Sequence, residues 1–274
     1  VKTAFAVMYS LCGYVILYGS CFTPWMDIVA LFPLLMLALD RLLITGKKLF
    51  YIFMVALSFI INYYLSAMAL IYVFLVSGVY ILLLCERKAW KKHAWNLGIG
   101  TAAGMGLSCF VLIPVFMQLS GSQRGNAGGS IVSQYLGWIK GAIVTDGSMA
   151  AFQRYMMLYG LSFVLAVILI GLKKYKEDKK MCRVMACLLG IALLPMFVEG
   201  INLMWHFGSY NGYTLRNGFL IAFTLLCMGA YYAQKMFADM PLEKKYIKRQ
   251  IVIALVMCLV YAAGYLLIPQ NNEI

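Results

Sequence analysis

The sequence has few acids and almost no histidine: ten Asp and Glu against 23 Lys and Arg, with two His. Metal-binding and acid–base signatures are correspondingly thin. No HExxH, GxSxG or dinucleotide fingerprint occurs, which excludes the soluble-enzyme classes those patterns mark. The Gly/Ser-rich stretch SGSQRGNAGGS (120–130) lacks the Gly-Lys-Ser/Thr ending of a P-loop. The eight cysteines form no metal-like cluster and no disulfide framework. Seven of them, Cys12, Cys85, Cys109, Cys182, Cys187, Cys227 and Cys258, lie in or beside apolar runs and read as small packing residues; only Cys21 is near a loop. Heptads and internal repeats are missing. The first apolar run carries no cleavage site of small residues, so it is not a signal peptide.

What is present is apolar side chain, at 64% of 274 residues. The mean hydropathy is +0.85. A soluble fold cannot bury that much, and repeated runs near the length of a bilayer crossing point to an all-α, polytopic membrane bundle. Nine spans are expected, at about 3–20, 27–44, 49–64, 66–84, 95–117, 154–172, 183–200, 217–235 and 250–268. The run 49–84 is too long for one crossing and is split at Asn62–Ser66. Gly100 and Gly104, four apart, allow close helix approach on one face of the fifth span. The net charge of +13 reads as topology rather than nucleic-acid binding. With the loops at Lys47, Lys88, Lys174 and Lys244 on one side, only Arg124, Lys140, Arg154 and Arg216 of the 23 basic residues fall on the other. The positive-inside rule makes the rich side cytoplasmic, with the start inside, the end outside, and loops 118–152 and 201–215 facing out. The bilayer is thus the first partner. The chain opens at Val1 inside helix-like sequence and ends just after a span, so it is expected to be an internal piece of a longer protein forming one transmembrane domain.

The stretch NLMWHFGSYNGYTLR (202–216) gathers the residues most suited to chemistry: Asn202, Trp205, His206 and Arg216, with Glu199 just before. It reads either as a polar pocket wall or as an interfacial loop with aromatic anchors. Arg216, beside Asn217 at a helix start, suits a phosphate or pyrophosphate. His206 could move a proton or meet a phosphate oxygen near neutral pH. Glu199, taken as ending an apolar helix, sits badly against the helix dipole, which asks for a partner such as Arg216 or a cation. Asp27 is either an acid or divalent-ion ligand, or a helix cap. Arg124 lies in a loop that could turn amides toward an anion or serve as flexible linker. Asp146 and Arg154 are caps or anchors. Tyr9, Tyr14, Tyr18, Trp25, Tyr63, Tyr64, Trp138 and Trp205 are read first as interfacial aromatics, some able to stack on sugar rings. No cofactor is firmly indicated; a divalent cation is the one candidate.

YSLCGYVILYG (9–19), WMDIVALFPLLMLALDRLL (25–43) and INYYLSAM (61–68) resemble the bacterial YfhO family of large multi-spanning membrane proteins. PVFMQLSGSQR (114–124) is similar to that family's proline-ended helix and outer loop. INLMWHFGSYNGYTLRNGFLIAF (201–223) resembles its Trp-His motif and Arg-Phe segment, with Leu215 where a proline is often found. The resemblance covers the whole chain. It implies a membrane glycosyltransferase of the C-type fold, moving sugar from a polyprenyl-phosphate donor to a cell-surface polymer such as teichoic acid. It also implies a carboxylate base in an outer loop upstream of Val1. A transporter or lipid-carrier flippase, and a non-catalytic membrane scaffold, are the alternatives. A transporter should carry polar groups at mid-membrane, whereas those singled out here lie mostly at the outer edge.

Overall fold

The computed structural model describes residues 1–120, 161–207 and 215–239. Two compact units divide the chain, Val1–Ala233 and Gln234–Ile274, and of the second only residues 234–239 are described. The described residues are helical throughout: α1 (Lys2–Ser10), α2 (Gly13–Gly19), α3 (Thr23–Thr45), α4 (Leu49–Ile61), α5 (Tyr63–Leu83), a short 3-10 turn at Arg87–Ala89, α6 (Trp90–Leu107), α7 (Cys109–Ser120), α8 (Ser162–Lys174), α9 (Lys179–Phe197), α10 (Glu199–Trp205) and α11 (Gly218–Ala238).

Three helices among the described residues, α3, α5 and α11, are long and apolar enough to cross a membrane. A fourth crossing results if α6 and α7, bent by 75°, count as one. The bend falls at Ser108, whose Oγ donates to the carbonyls of Gly104 and Met105. Back-bonding of this kind, close to Gly106, opens the helical ladder. The first expected span is two helices, α1 and α2, because Cys12 takes an extended conformation. The expected turn in 49–84 contracts to Asn62 alone. Its backbone is extended, and its side chain caps α5 by accepting from the Leu65 N–H at 3.1 Å. α3 starts with Pro24 in its first turn and stops at Gly46, whose φ of 73° is left-handed.

A close seam joins α4 and α6. A methyl on Gly104 would lie 2.7 Å from Val55, and one on Gly100 2.9 Å from the Tyr51 ring. The two glycines four apart therefore do permit the approach expected of them. Tyr51 and Thr101 share a buried hydroxyl bond of 2.9 Å across this seam. Within the first unit α11 is mostly buried, with Cys227 exposed. Its Thr224 shares a 2.6 Å bond with Tyr72 of α5, and its Phe219 and Phe223 meet Phe32 of α3 edge-on. This packing carries residues 215–217, just before α11, to the ends of α2, α3 and α5.

One expectation is corrected here. Glu199 does not end a helix: α9 stops at Phe197, Val198 is extended, and position 199 opens α10. The poor fit to a helix C-terminus that made Glu199 unusual therefore falls away. Pro195 lies three residues before the break.

Candidate functional site

The site is built around Arg216. Its backbone is held by Tyr14 of α2, whose hydroxyl donates to the Arg216 carbonyl at 3.0 Å. The neighbouring residues Leu215 and Asn217 are buried. The guanidinium is half-buried; its Nη1 donates to the Tyr64 hydroxyl at 3.1 Å. The cation lies 5.3 Å from the Tyr64 ring centre and 5.7 Å from that of Trp25. Cation–π attraction at such distances is worth about 0.5–2 kcal/mol, more as water is excluded. Trp25 is itself fixed by stacking on Phe22, with centroids 4.5 Å apart and planes at 15°. Two aromatics from α3 and α5 thus aim a permanent cation.

α10 supplies the second wall. Asn202 and His206, one helical turn apart, are both buried. His206 Nδ1–H donates to the Asn202 carbonyl at 2.8 Å, which leaves the lone pair of the neutral ring on Nε2. Burial first, and the charge of Arg216 as a lesser cause, push the His206 pKa down to about 4, against a partial rise from the Asn202 carbonyl. At pH 7 the imidazole is neutral. This corrects the expectation of a titrating group near neutrality: His206 brings no positive charge to a phosphate, and offers instead a lone pair. The turn that ends α10 is strained, since Phe207 has a φ of 54°, a left-handed value rare outside glycine. Its ring meets Tyr64 edge-on at 6.2 Å.

Two side-chain amides complete the set. Asn202 is wholly buried, and neither its Nδ2 nor its Oδ1 has a hydrogen-bond partner among the described residues. The same holds for Oδ1 of Asn217. An orphaned buried polar group costs about 1–3 kcal/mol, so these amides are the costliest polar groups of the site to keep buried. Trp205 is also buried and borders an apolar groove between α5 and α9.

The structure therefore brings Arg216, His206 and Asn202 together, with Trp205 alongside. Asp27 stands apart: it is exposed on α3, does not cap that helix, and makes no hydrogen bond or ion pair among the described residues. Arg124, Asp146 and Arg154 lie outside the described residues, as do most of the 118–152 loop and residues 208–214. The side chain of Glu199 is likewise outside the description, and with it any pairing to Arg216. No cluster of three or more His, Cys, Asp or Glu able to hold a metal occurs among the described residues. Sequence reasoning read Trp25 and Tyr64 as interfacial anchors. Their role around Arg216 arises from three segments far apart in the chain, and no local spacing marks it.

The whole chain, residues 1–274, matches the family described as "Bacterial membrane protein YfhO". The chain belongs to the YfhO family. No curated protein and no solved structure matches it. Family and helices together make this YfhO-family chain a multi-pass bacterial membrane protein.

Proposed function

We propose that this YfhO-family chain is part of a membrane glycosyltransferase that moves a sugar from a polyprenyl-phosphate donor to a cell-surface polymer, teichoic acid being the class the family resemblance suggests. In this reading the fold is the nine-span C-type bundle, with its start inside, its end outside, and the Arg216 site at the outer face. The acceptor hydroxyl oxygen attacks the anomeric carbon of the donor sugar. Its proton passes to a carboxylate base, which the family resemblance puts in an outer loop upstream of Val1. The bond from the anomeric carbon to the phosphate oxygen breaks, and the lipid phosphate leaves with that electron pair.

The observation that carries this reading is the guanidinium of Arg216 held by Tyr64 and Trp25, with a buried, orphaned amide oxygen on the adjoining Asn217. A fixed cation supplies what a leaving phosphate needs as its charge grows. The amides of Asn202 and Asn217 suit sugar hydroxyls, which both donate and accept. Neutral His206 suits a hydroxyl too, because a lone pair on Nε2 accepts from O–H and repels a phosphate oxygen. Its low pKa makes it an orienting group rather than the base.

The test is donor consumption in liposomes holding the full-length protein and a polyprenyl-phosphate sugar. A transferase consumes donor only when polymer acceptor is present. Movement of labelled carrier across the bilayer with no acceptor, and no transfer when acceptor is added, would replace this reading with a flippase.

A further inference from the structure

Away from Arg216, α5 and α9 leave an open groove of about 680 Å³ between them. Its walls are apolar, Leu75, Val79 and Leu82 on α5 and Ile191 and Leu194 on α9, and a tryptophan stands at one end. The helices run antiparallel here, because Lys180 at the start of α9 donates its Nζ to the carbonyl of Leu84 at the end of α5, 3.3 Å away. α10 follows the far end of α9, so Ile201 and Trp205 close the groove at the end away from Lys180.

The Lys180 end is strongly basic, and the charge comes from two separate segments that this hydrogen bond joins. Arg87, Lys88, Lys91 and Lys92 follow α5, and all are exposed. Lys173, Lys174, Lys176, Lys179, Lys180 and Arg183 surround the turn from α8 to α9, and all are exposed as well. The acids in the same segments are Glu86, Glu177 and Asp178, and Asp178 is engaged in capping α9 through the Met181 N–H. Positive charge is thus in large excess.

Depth selects the occupant. On α5 the groove runs from Phe74 to Leu83. At 1.5 Å per residue that is about 14 Å, close to half of a hydrocarbon core about 30 Å thick. A slot one leaflet deep, apolar along its length and cationic at its mouth, matches a lipid with an anionic headgroup and acyl chains. We infer that this groove is a binding site for an anionic glycerophospholipid of the leaflet on the basic side, its phosphate at Lys180 and its neighbours and one acyl chain between α5 and α9, reaching toward Trp205. Neither the site nor its ligand depends on the sugar-transfer reading.

Trp205 at the closed end provides the probe. The full chain, with Trp205 as sole tryptophan, is reconstituted in phosphatidylcholine vesicles containing a graded fraction of brominated phosphatidylglycerol or brominated phosphatidylcholine. Phosphatidylglycerol should half-quench Trp205 at about a tenfold lower fraction, the scale expected for one or two lysines beside an anionic headgroup. Lys176→Glu with Lys180→Glu should erase that preference. Gly78→Phe should block quenching by both lipids: Gly78 lines the groove, and a Cβ there meets nothing within 4 Å, so the backbone has room for a side chain at that point. Helical content by circular dichroism identifies any variant that fails to fold. Native mass spectrometry of the chain with all its tryptophans then reads the same preference as retained lipid. Equal quenching and equal retention of the two lipids would overturn the inference, as would a preference that survives both lysine changes in a folded protein.

Discussion

Lowering the pH should destabilise the chain through one side chain, His206. In the fold its pKa is about 4, against 6.5 in the unfolded chain. The folded state therefore favours the neutral ring. The stability this gives is fully present above 6.5 and is lost as pH falls toward 4. Below 6.5 the unfolded chain takes up a proton that the folded chain refuses, so stability falls by about 1.4 kcal/mol per pH unit. The loss is about 2 kcal/mol by pH 5 and approaches about 3 kcal/mol near pH 4, an upper figure for a largely buried ring. Reversible unfolding of the protein in mixed micelles, followed by circular dichroism at pH 7.5, 6 and 5, measures it. His206→Gln keeps a donor for the Asn202 carbonyl but cannot ionise. The difference in pH slope between the two proteins isolates the imidazole from every carboxylate. Parallel slopes would refute the buried neutral histidine and the orienting role built on it.

Other perturbations test the packing, the orphaned amide and the orientation. Gly104→Ala puts a methyl 2.7 Å from Val55 and 3.0 Å from the Ile52 carbonyl, and should cost about 1–3 kcal/mol of unfolding free energy. Gly106→Ala on the same helix meets nothing within 4 Å and should be neutral or gain up to about 1 kcal/mol from helix propensity. Asn202→Leu removes an amide that is buried and unsatisfied. It should raise stability by about 1 kcal/mol or more while lowering sugar transfer, a pairing that a purely structural asparagine would not give. Cysteines placed at Ser122 and Ser209 in a background without native cysteine should react with an impermeant thiol reagent in intact cells; labelling only after lysis would reverse the proposed orientation.

The periodic and local features were legible in the sequence. Gly100 and Gly104 announced a close helix approach by their spacing, though not α4 as the partner, and the polar Asn62 announced the break before α5, because each effect is decided within one helical turn. The interruptions at Cys12, Ser108 and Val198 were not legible. Apolar runs stay apolar across a bend, and hydropathy measures composition rather than direction. At the candidate site, Asn202, His206 and Arg216 were singled out because polar residues stand out between apolar runs. Their electrostatics were not, since the low pKa of His206 depends on burial and on a cation brought close by folding. Trp25 and Tyr64 were seen as aromatics but not as the holders of Arg216, because that arrangement joins α3, α5 and the turn before α11.

The central claim is that Arg216 holds the donor phosphate, and the initial rate of sugar transfer tests it most directly. The full-length protein is reconstituted in liposomes with a polyprenyl-phosphate sugar and acceptor polymer, and rates are normalised to folded protein. Arg216→Ala should insert and fold, since Tyr14 grips the backbone carbonyl rather than the guanidinium, yet transfer should fall by the equivalent of about 3 kcal/mol, over a hundredfold. Arg216→Lys keeps the charge but loses the planar, two-pronged geometry and should fall between the two. A folded Arg216→Ala protein that transfers sugar at the unmodified rate would contradict the account.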